Sequence, residues 1–263
     1  MTKHLIKLIL ILITPLSPLL HAESKTITIG VVPGAHSDVM EFVKNLANKK
    51  DLNIKIIEFN DYILPNAALA QGDLDLNSYQ HQPFLDEQIK SRNYQLTPIA
   101  KTLLFPIALY SKKITNIKDL KDKAKIAIPN DPTNGSRALL LLQKEGLITL
   151  KPNANNTVSV LDIKDNPKQL KIIEIEAPQI PRTLNDVDAA VVNTDWALPA
   201  GLNPCKDALA IESTDSPYAN VIVARTQDKN NKDFSEFIKI YQSPETEEFV
   251  KNKFGCAAIP AWK

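Results

Sequence analysis

Apolar positions along this chain switch repeatedly between a two-residue alternation and a three-to-four-residue spacing, the signature of strands interleaved with helices. Residues 26–32 (TITIGVV) form a β-rich run that stops at Pro33-Gly34, and the stretch behind it carries Val39, Phe42, Val43 and Leu46 on one helical face. The pattern predicts strands over 53–59, 74–79, 96–104 and 107–111, with helices over 65–71 and 83–91 between them. After Ser111 the same grammar restarts. A helical turn is expected at 117–120, a strand at 125–129 and an apolar-faced helix over 136–144, which Gly146 stops. A loop rich in Lys, Pro and Asn covers 151–157. Strands are predicted over 158–163, 171–175, 188–193, 208–212 and 220–225, with a short proline-bearing helix over 177–184. Helices over 232–241 and 244–254 close the chain.

Two openings of the strand–turn–helix kind, at Thr26 and Lys125, predict two α/β domains of similar build rather than one long sheet. The second already has its share of covering helices, so residues 220–263 are expected to return to the first. The chain would then cross between domains twice, near 105–110 and near 213–220, as a two-stranded hinge with a ligand cleft between the lobes. The expected limits are 23–108 plus 218–263 for the first lobe and 109–217 for the second.

The first 22 residues stand apart. Lys3 and Lys7 precede an apolar run over 8–20 that Pro15 and Pro18 interrupt, and Ala22 closes it, which reads as a secretory signal peptide over 1–22. The run is too short for a comfortable membrane span. No cysteine lies near the cleavage point, so the expectation is a soluble periplasmic protein without a lipobox cysteine. The chain carries 31 basic and 30 acidic side chains, and loss of the two leader lysines leaves a net of −1. Such balance argues against nucleic acid as a partner. Cys205 and Cys256 are the only cysteines. An even count in an oxidising compartment suggests one disulfide, with two separate buried thiols as the alternative.

Candidate chemistry gathers at predicted strand ends. In KIAIPNDPTNGSRALLLLQKEG (125–146), the helix is expected to start near Ser136, leaving the backbone N–H groups of Asn134, Gly135 and Ser136 as a seat for an anion. Arg137 would fall in the first turn, where a bound carboxylate would offset its unfavourable position against the helix dipole. Its competing reading is a solvated surface arginine. Tyr79, His81 and Phe84 sit where a strand enters a helix, and Tyr62, Asn193 and Asn220 sit at other strand ends. Each alone is an ordinary turn or packing residue. Together they describe aromatic rings from one lobe facing an arginine and an asparagine from the other, a composition suited to a zwitterion with an apolar or thioether side chain. No Gly-x-Ser-x-Gly elbow and no His-Glu-x-x-His site is present. Only His36 and His81 remain beyond the leader. Asp73 with Asp75, expected on one strand face, has no adjacent base or phosphate loop. Neither catalysis, a metal nor a cofactor is therefore expected.

With these residues in place, the sequence resembles the methionine-binding family of periplasmic substrate-binding proteins, the NlpA/MetQ type, that serve ABC importers. The segments carrying the resemblance are VVPGAHSDVMEFV, FNDYILPNAALAQGDLDLNSYQHQPFL, the 125–148 stretch, DAAVVNTDWAL and ESTDSPYANVIV. The resemblance implies a two-lobed periplasmic binding protein fold and a monomer that hands methionine to a membrane permease and its ATPase. It also implies that Arg137 holds the ligand carboxylate, that Asn193 and Asn220 hold the amino-acid head group, and that Tyr62, Tyr79, His81 and Phe84 line the side-chain pocket. D-methionine, a methionine dipeptide or another apolar amino acid would present the same carboxylate. A surface interaction protein and an enzyme on the same frame are the rival classes.

Overall fold

A computed structural model describes residues 26–152 and 157–262. The expected signal peptide over 1–22 and part of the 151–157 loop lie outside the described residues.

The first sheet is built by β1 (Thr26–Val31), β2 (Asn53–Glu58), β3 (Leu76–His81) and β4 (Leu96–Leu104), linked by α1 (Ala35–Asn48), α2 (Leu64–Gln71) and α3 (Gln82–Arg92). The chain then enters a second sheet. Its elements are β5 (Ala108–Tyr110), β6 (Lys125–Pro129), α4 (Pro132–Lys144), the small hairpin β7 (Thr149–Leu150) and β8 (Ile163–Asp165), β9 (Lys171–Ile175), β10 (Ala189–Val192), the single turn α5 (Thr194–Ala197) and β11 (Ala210–Ile211). It returns as β12 (Ala219–Arg225), α6 (Lys232–Tyr241), α7 (Pro244–Phe254) and β13 (Ile259–Pro260).

Strand order in the first sheet is β13-β4-β12-β3-β1-β2, and in the second β11-β5-β10-β6-β9. The returning strand β12 is inserted between β3 and β4, antiparallel to both. Its alternation explains why it can sit centrally. Ile222 and Ala224 face the core formed with α1, α6 and α7, while Val221 and Val223 face the cluster formed with Leu69 and Leu85 of α2 and α3. In the second sheet, Ile126 and Ile128 point to Leu139 and Leu142 of α4. Ala127, Ala190 and Val192 point the other way and pack in one cluster with Val32, Tyr79 and Phe84 of the first lobe. The lobes are thus closed on each other. The molecule is a two-lobed α/β protein with two chain crossovers.

Most predicted elements appear within two residues of their expected ends, but several differ. The strand expected over 158–163 is instead a 3₁₀ turn, Val160–Asp162, followed by β8. Asp162 accepts hydrogen bonds from the Ser159 backbone and hydroxyl, a local cap that outcompetes strand pairing. Asp73 and Asp75 precede β3 rather than sharing its face; Asp75 accepts from the Thr28 backbone N–H at 2.8 Å, fixing the entry into β1. Cys205 and Cys256 form a disulfide with Cα atoms 5.9 Å apart. The first lies between β10 and β11 of the second sheet, and the other between α7 and β13 of the first.

Candidate functional site

Helix α4 begins earlier than the sequence suggested. Pro132 takes the first helical position and Asp131 is the N-cap, accepting from the Asn134 backbone N–H at 2.9 Å. The Gly135 N–H already bonds to the Asp131 carbonyl at 2.8 Å. The anion seat expected at the backbone of Asn134, Gly135 and Ser136 is therefore absent, because the protein's own Asp131 carboxylate occupies that role. Arg137 lies in the second turn and owes its position to its partners rather than to the helix dipole.

Those partners are numerous. The Arg137 guanidinium donates from Nε to Glu212 Oε1 at 3.1 Å and from Nη2 to Glu212 Oε2 at 2.6 Å. Nη2 also donates to the Phe105 carbonyl at 3.1 Å, and the group lies 4.3 Å above the Tyr218 ring. Phe105 belongs to the first crossover, while Glu212 and Tyr218 belong to the second. The sequence reading had Arg137 waiting for an outside carboxylate; the structure gives one edge of it to Glu212 and leaves Nη1 toward the cavity, 3.3 Å from Asn134 Oδ1. Burial works against the charge, but Glu212 more than offsets it, so the Arg137 pKa is held above its ordinary value.

Asn134 is the junction. Its Nδ2 donates to both oxygens of Asp131, at 3.1 and 3.0 Å, which turns Oδ1 toward the cavity. That oxygen accepts from Asn193 Nδ2 at 2.8 Å and meets His81 Nε2 at 3.1 Å. The His81 tautomer follows from its other side: Nδ1 accepts the Phe84 backbone N–H at 3.1 Å, capping α3, so Nε2 carries the proton and donates to Asn134. Burial, aided by Arg137, lowers the His81 pKa to about 3. His81 is a neutral bridge between the lobes.

With Asn193 Nδ2 committed to Asn134, its Oδ1 is a buried acceptor without a partner among the described residues. Asn220 reaches the same wall from β12, where pairing with β4 slips between Ala219 and Val221, a bulge that re-aims side chains. Opposite this polar end stand the rings. Tyr62 lies 5.9 Å from Phe84, 6.1 Å from Tyr79 and 5.5 Å from Trp196. Tyr79 donates to the Tyr62 carbonyl at 2.8 Å, and Tyr62 donates to Asp195 Oδ2 at 2.6 Å across the lobes.

All seven expected residues, Tyr62, Tyr79, His81, Phe84, Arg137, Asn193 and Asn220, line one cavity with about 320 Å³ of atom-free space. Gln80, Phe105, Asn134 and Asp195 complete the lining, and sequence reasoning passed over them. Asn134 was read for its backbone only. Asp195 lies two residues beyond Asn193, yet one carboxylate in a turn carries no signal by itself. Among the described residues, no group of three His, Cys, Asp or Glu side chains could hold a metal ion.

Behind Phe105, His36 is buried with its ring centroid 4.6 Å away, and neither nitrogen has a hydrogen-bond partner among the described residues. Burial lowers its pKa to about 3 against 6.5 in an unfolded chain. The unfolded state therefore takes a proton below pH 6.5 that the folded state refuses, and stability falls as pH drops. Between pH 7 and pH 5 this amounts to about 2 kcal/mol. A His36→Phe variant, compared by urea unfolding at both pH values, should show a pH dependence smaller by about that amount. The Asp195 carboxyl, raised by burial to about 6, acts with opposite sign but is common to both proteins. An unchanged pH slope would show that His36 titrates normally.

Comparison with known proteins adds the lineage. The family model described as NlpA lipoprotein matches residues 27–262. The D-methionine-binding lipoprotein MetQ of Salmonella typhi is 47% identical over 90% of this chain and 88% of its own length. Lipoprotein 28 of Escherichia coli K12 is 44% identical, over 92% of this chain and 90% of its own. A nutrient-binding protein of Burkholderia cenocepacia, solved bound to methionine, is 51% identical, covers 89% of this chain and 99% of its own, and superposes with a TM-score of 0.87. These matches correct one expectation. The family model and these two curated relatives are lipoproteins, so the expectation of a freely soluble periplasmic protein, drawn from the missing cysteine near Ala22, does not stand. That reading extrapolated from residues 1–22, which lie outside the span on which the family is recognised. Over its two lobes, its crossovers and its cavity, this chain belongs to the NlpA lipoprotein family.

Proposed function

We propose that this protein captures methionine between its lobes and delivers it to an ABC importer, without catalysis. The observation that carries the reading is the polarity of the cavity. One end offers the remaining guanidinium edge of Arg137, the free Asn193 Oδ1 and Asn220; the other is a cage of Tyr62, Tyr79 and Phe84 rings. In this reading Arg137 takes the ligand carboxylate, Asn193 and Asn220 take the head group, and the rings with His81 enclose the thioether. A membrane permease and its ATPase are the proposed recipients. The lobes are taken as 23–108 plus 218–263 and 109–217. Ligand bridging both would stabilise the closed form by its differential affinity for it.

The test is thermal unfolding of protein freed of ligand by unfolding and refolding, against both methionine enantiomers, methionine dipeptides and other apolar amino acids. A ligand that binds only the folded state raises Tm by mass action. The expected result is the largest shift with a methionine enantiomer. A larger shift with a dipeptide or another amino acid would replace the substrate, and no shift at all would remove the binding role.

Closure itself can be tested at Gly34. This residue, at φ +86°, precedes α1, and a Cβ there would lie 2.8 Å from Pro199 Cγ and 3.0 Å from the Asp195 carbonyl of the other lobe. Gly34→Ala therefore meets both a left-handed backbone cost of roughly 1–2 kcal/mol and a wedge between the lobes. Methionine Kd should rise by about 10-fold or more by titration calorimetry. An unchanged Kd would mean that this contact is not part of the ligand-bound state.

A further inference from the structure

The cavity's charges do not balance. Arg137 is matched by Glu212, whose two oxygens lie 3.1 and 2.6 Å from Nε and Nη2. His81 is neutral for the reasons above. What remains is Asp195, the one carboxylate among the lining residues, 6% exposed and held by the Tyr62 hydroxyl at 2.6 Å. Among the described residues it is in no salt bridge within 4 Å. A buried ionised carboxylate without an ion-pair partner is costly, and the Tyr62 hydroxyl, its own backbone N–H and the more distant Arg137 charge do not together replace the solvation it has lost. Burial accordingly raises its carboxyl to about 6 despite the Tyr62 bond, the backbone N–H and the Arg137 charge, although at neutral pH the ionised form still dominates.

From this geometry we propose that Asp195 is the specificity residue for the ligand's ammonium group, and that the site selects free α-amino acids over analogues lacking that charge. The inference rests on the binding role proposed above and adds a residue and a selection rule to it. In this arrangement Asn193 and Asn220 contribute neutral dipoles to the head group, whereas Asp195 contributes the formal negative charge. Tyr62 positions it: its hydroxyl bonds Oδ2, while its backbone carbonyl accepts from Tyr79. A ligand carrying both charges then meets Arg137 with its carboxylate and Asp195 with its ammonium. The α-hydroxy analogue of methionine keeps shape, thioether and carboxylate but leaves Asp195 uncompensated. Recognition of a buried charge discriminates in this way more strongly than apolar contact does.

The experiment measures Kd for L-methionine and for its α-hydroxy analogue in wild type, Asp195→Asn and Tyr62→Phe at pH 7.5. Asparagine is nearly isosteric and still accepts from Tyr62, so shape is preserved. Wild type should prefer methionine by about 100-fold or more. Asp195→Asn should weaken methionine by roughly 10- to 100-fold, the range of a hydrogen bond to a charged group, and leave the hydroxy acid unchanged or tighter, collapsing the ratio. Tyr62→Phe keeps the carboxylate and should keep the ratio while affinity falls for both, a check that holds even if the Asp195 variant folds poorly. Equal weakening of both ligands by Asp195→Asn, or loss of the ratio in Tyr62→Phe, overturns the inference alone. A wild type that binds neither ligand overturns both this inference and the methionine reading.

Discussion

Arg137→Ala should lose methionine affinity by on the order of 1,000-fold and lower Tm by roughly 10 °C, two effects with separate causes. The affinity loss follows from removing a buried, charge-assisted anchor for the ligand carboxylate. The stability loss follows from Glu212, which would keep its carboxylate largely buried, at 12% side-chain exposure, with its guanidinium partner gone. Breaking a buried pair from one side costs about 3–5 kcal/mol, and for a chain of this size each kcal/mol moves Tm by about 2–4 °C. Glu212 also accepts from the Ile107 backbone N–H at 3.3 Å, and Arg137 holds the Phe105 carbonyl, so the same pair pins both crossovers. A double variant, Arg137→Ala with Glu212→Gln, separates the effects. It should recover much of the Tm and none of the binding, measured by calorimetry and thermal melting. Retained affinity in Arg137→Ala would remove the arginine from the ligand site. Recovered binding in the double variant would instead make Glu212 the determinant.

The order in which the sequence revealed this molecule has a physical basis. Segments that are periodic, long and punctuated were legible: β4, β6, β9, α6 and α7 lie at the predicted limits. The return of the chain's end to the first lobe was legible as a counting argument about covering helices. The place of β12 between β3 and β4 was not, because both of its faces are apolar and nothing local distinguishes a central strand's neighbours. Every cavity residue predicted from the strand ends does line the cavity. Their partners escaped notice because they come from far away in sequence: Glu212 lies 75 residues from Arg137, and Asp195 lies 133 from Tyr62. At α4 a local signal was misread. Asp-Pro at 131–132 is a cap followed by a first-turn proline, a start signal three to four residues ahead of the apolar face that drew attention.

The disulfide brings these threads together, since it adds a third covalent link between lobes that the backbone already joins twice. Cys205 follows the Leu198–Ala200 turn of the second lobe, and Cys256 follows α7 of the first. Both cysteines are exposed, so the bond contributes by restraint rather than by burial. Closing a loop of 51 residues removes about 4 kcal/mol of chain entropy from the unfolded state. A Cys205→Ser, Cys256→Ser variant should therefore lose roughly 2–4 kcal/mol in urea unfolding, one of the larger single-bond effects in the molecule. The same link should restrict the open state. Its ends lie in different lobes, so opening must stretch or carry the 205 loop along. Without it the open form gains freedom while the closed contacts, Tyr62 to Asp195 and His81 to Asn134, are unchanged. Methionine should then leave faster, with association barely altered, and small-angle scattering of the ligand-free variant should report a larger radius of gyration. A variant that loses stability but keeps the wild-type off-rate and radius would confine the disulfide to fastening the C-terminal segment. A variant with unchanged stability would mean that the native contacts of β13 and α7 already hold that segment in place.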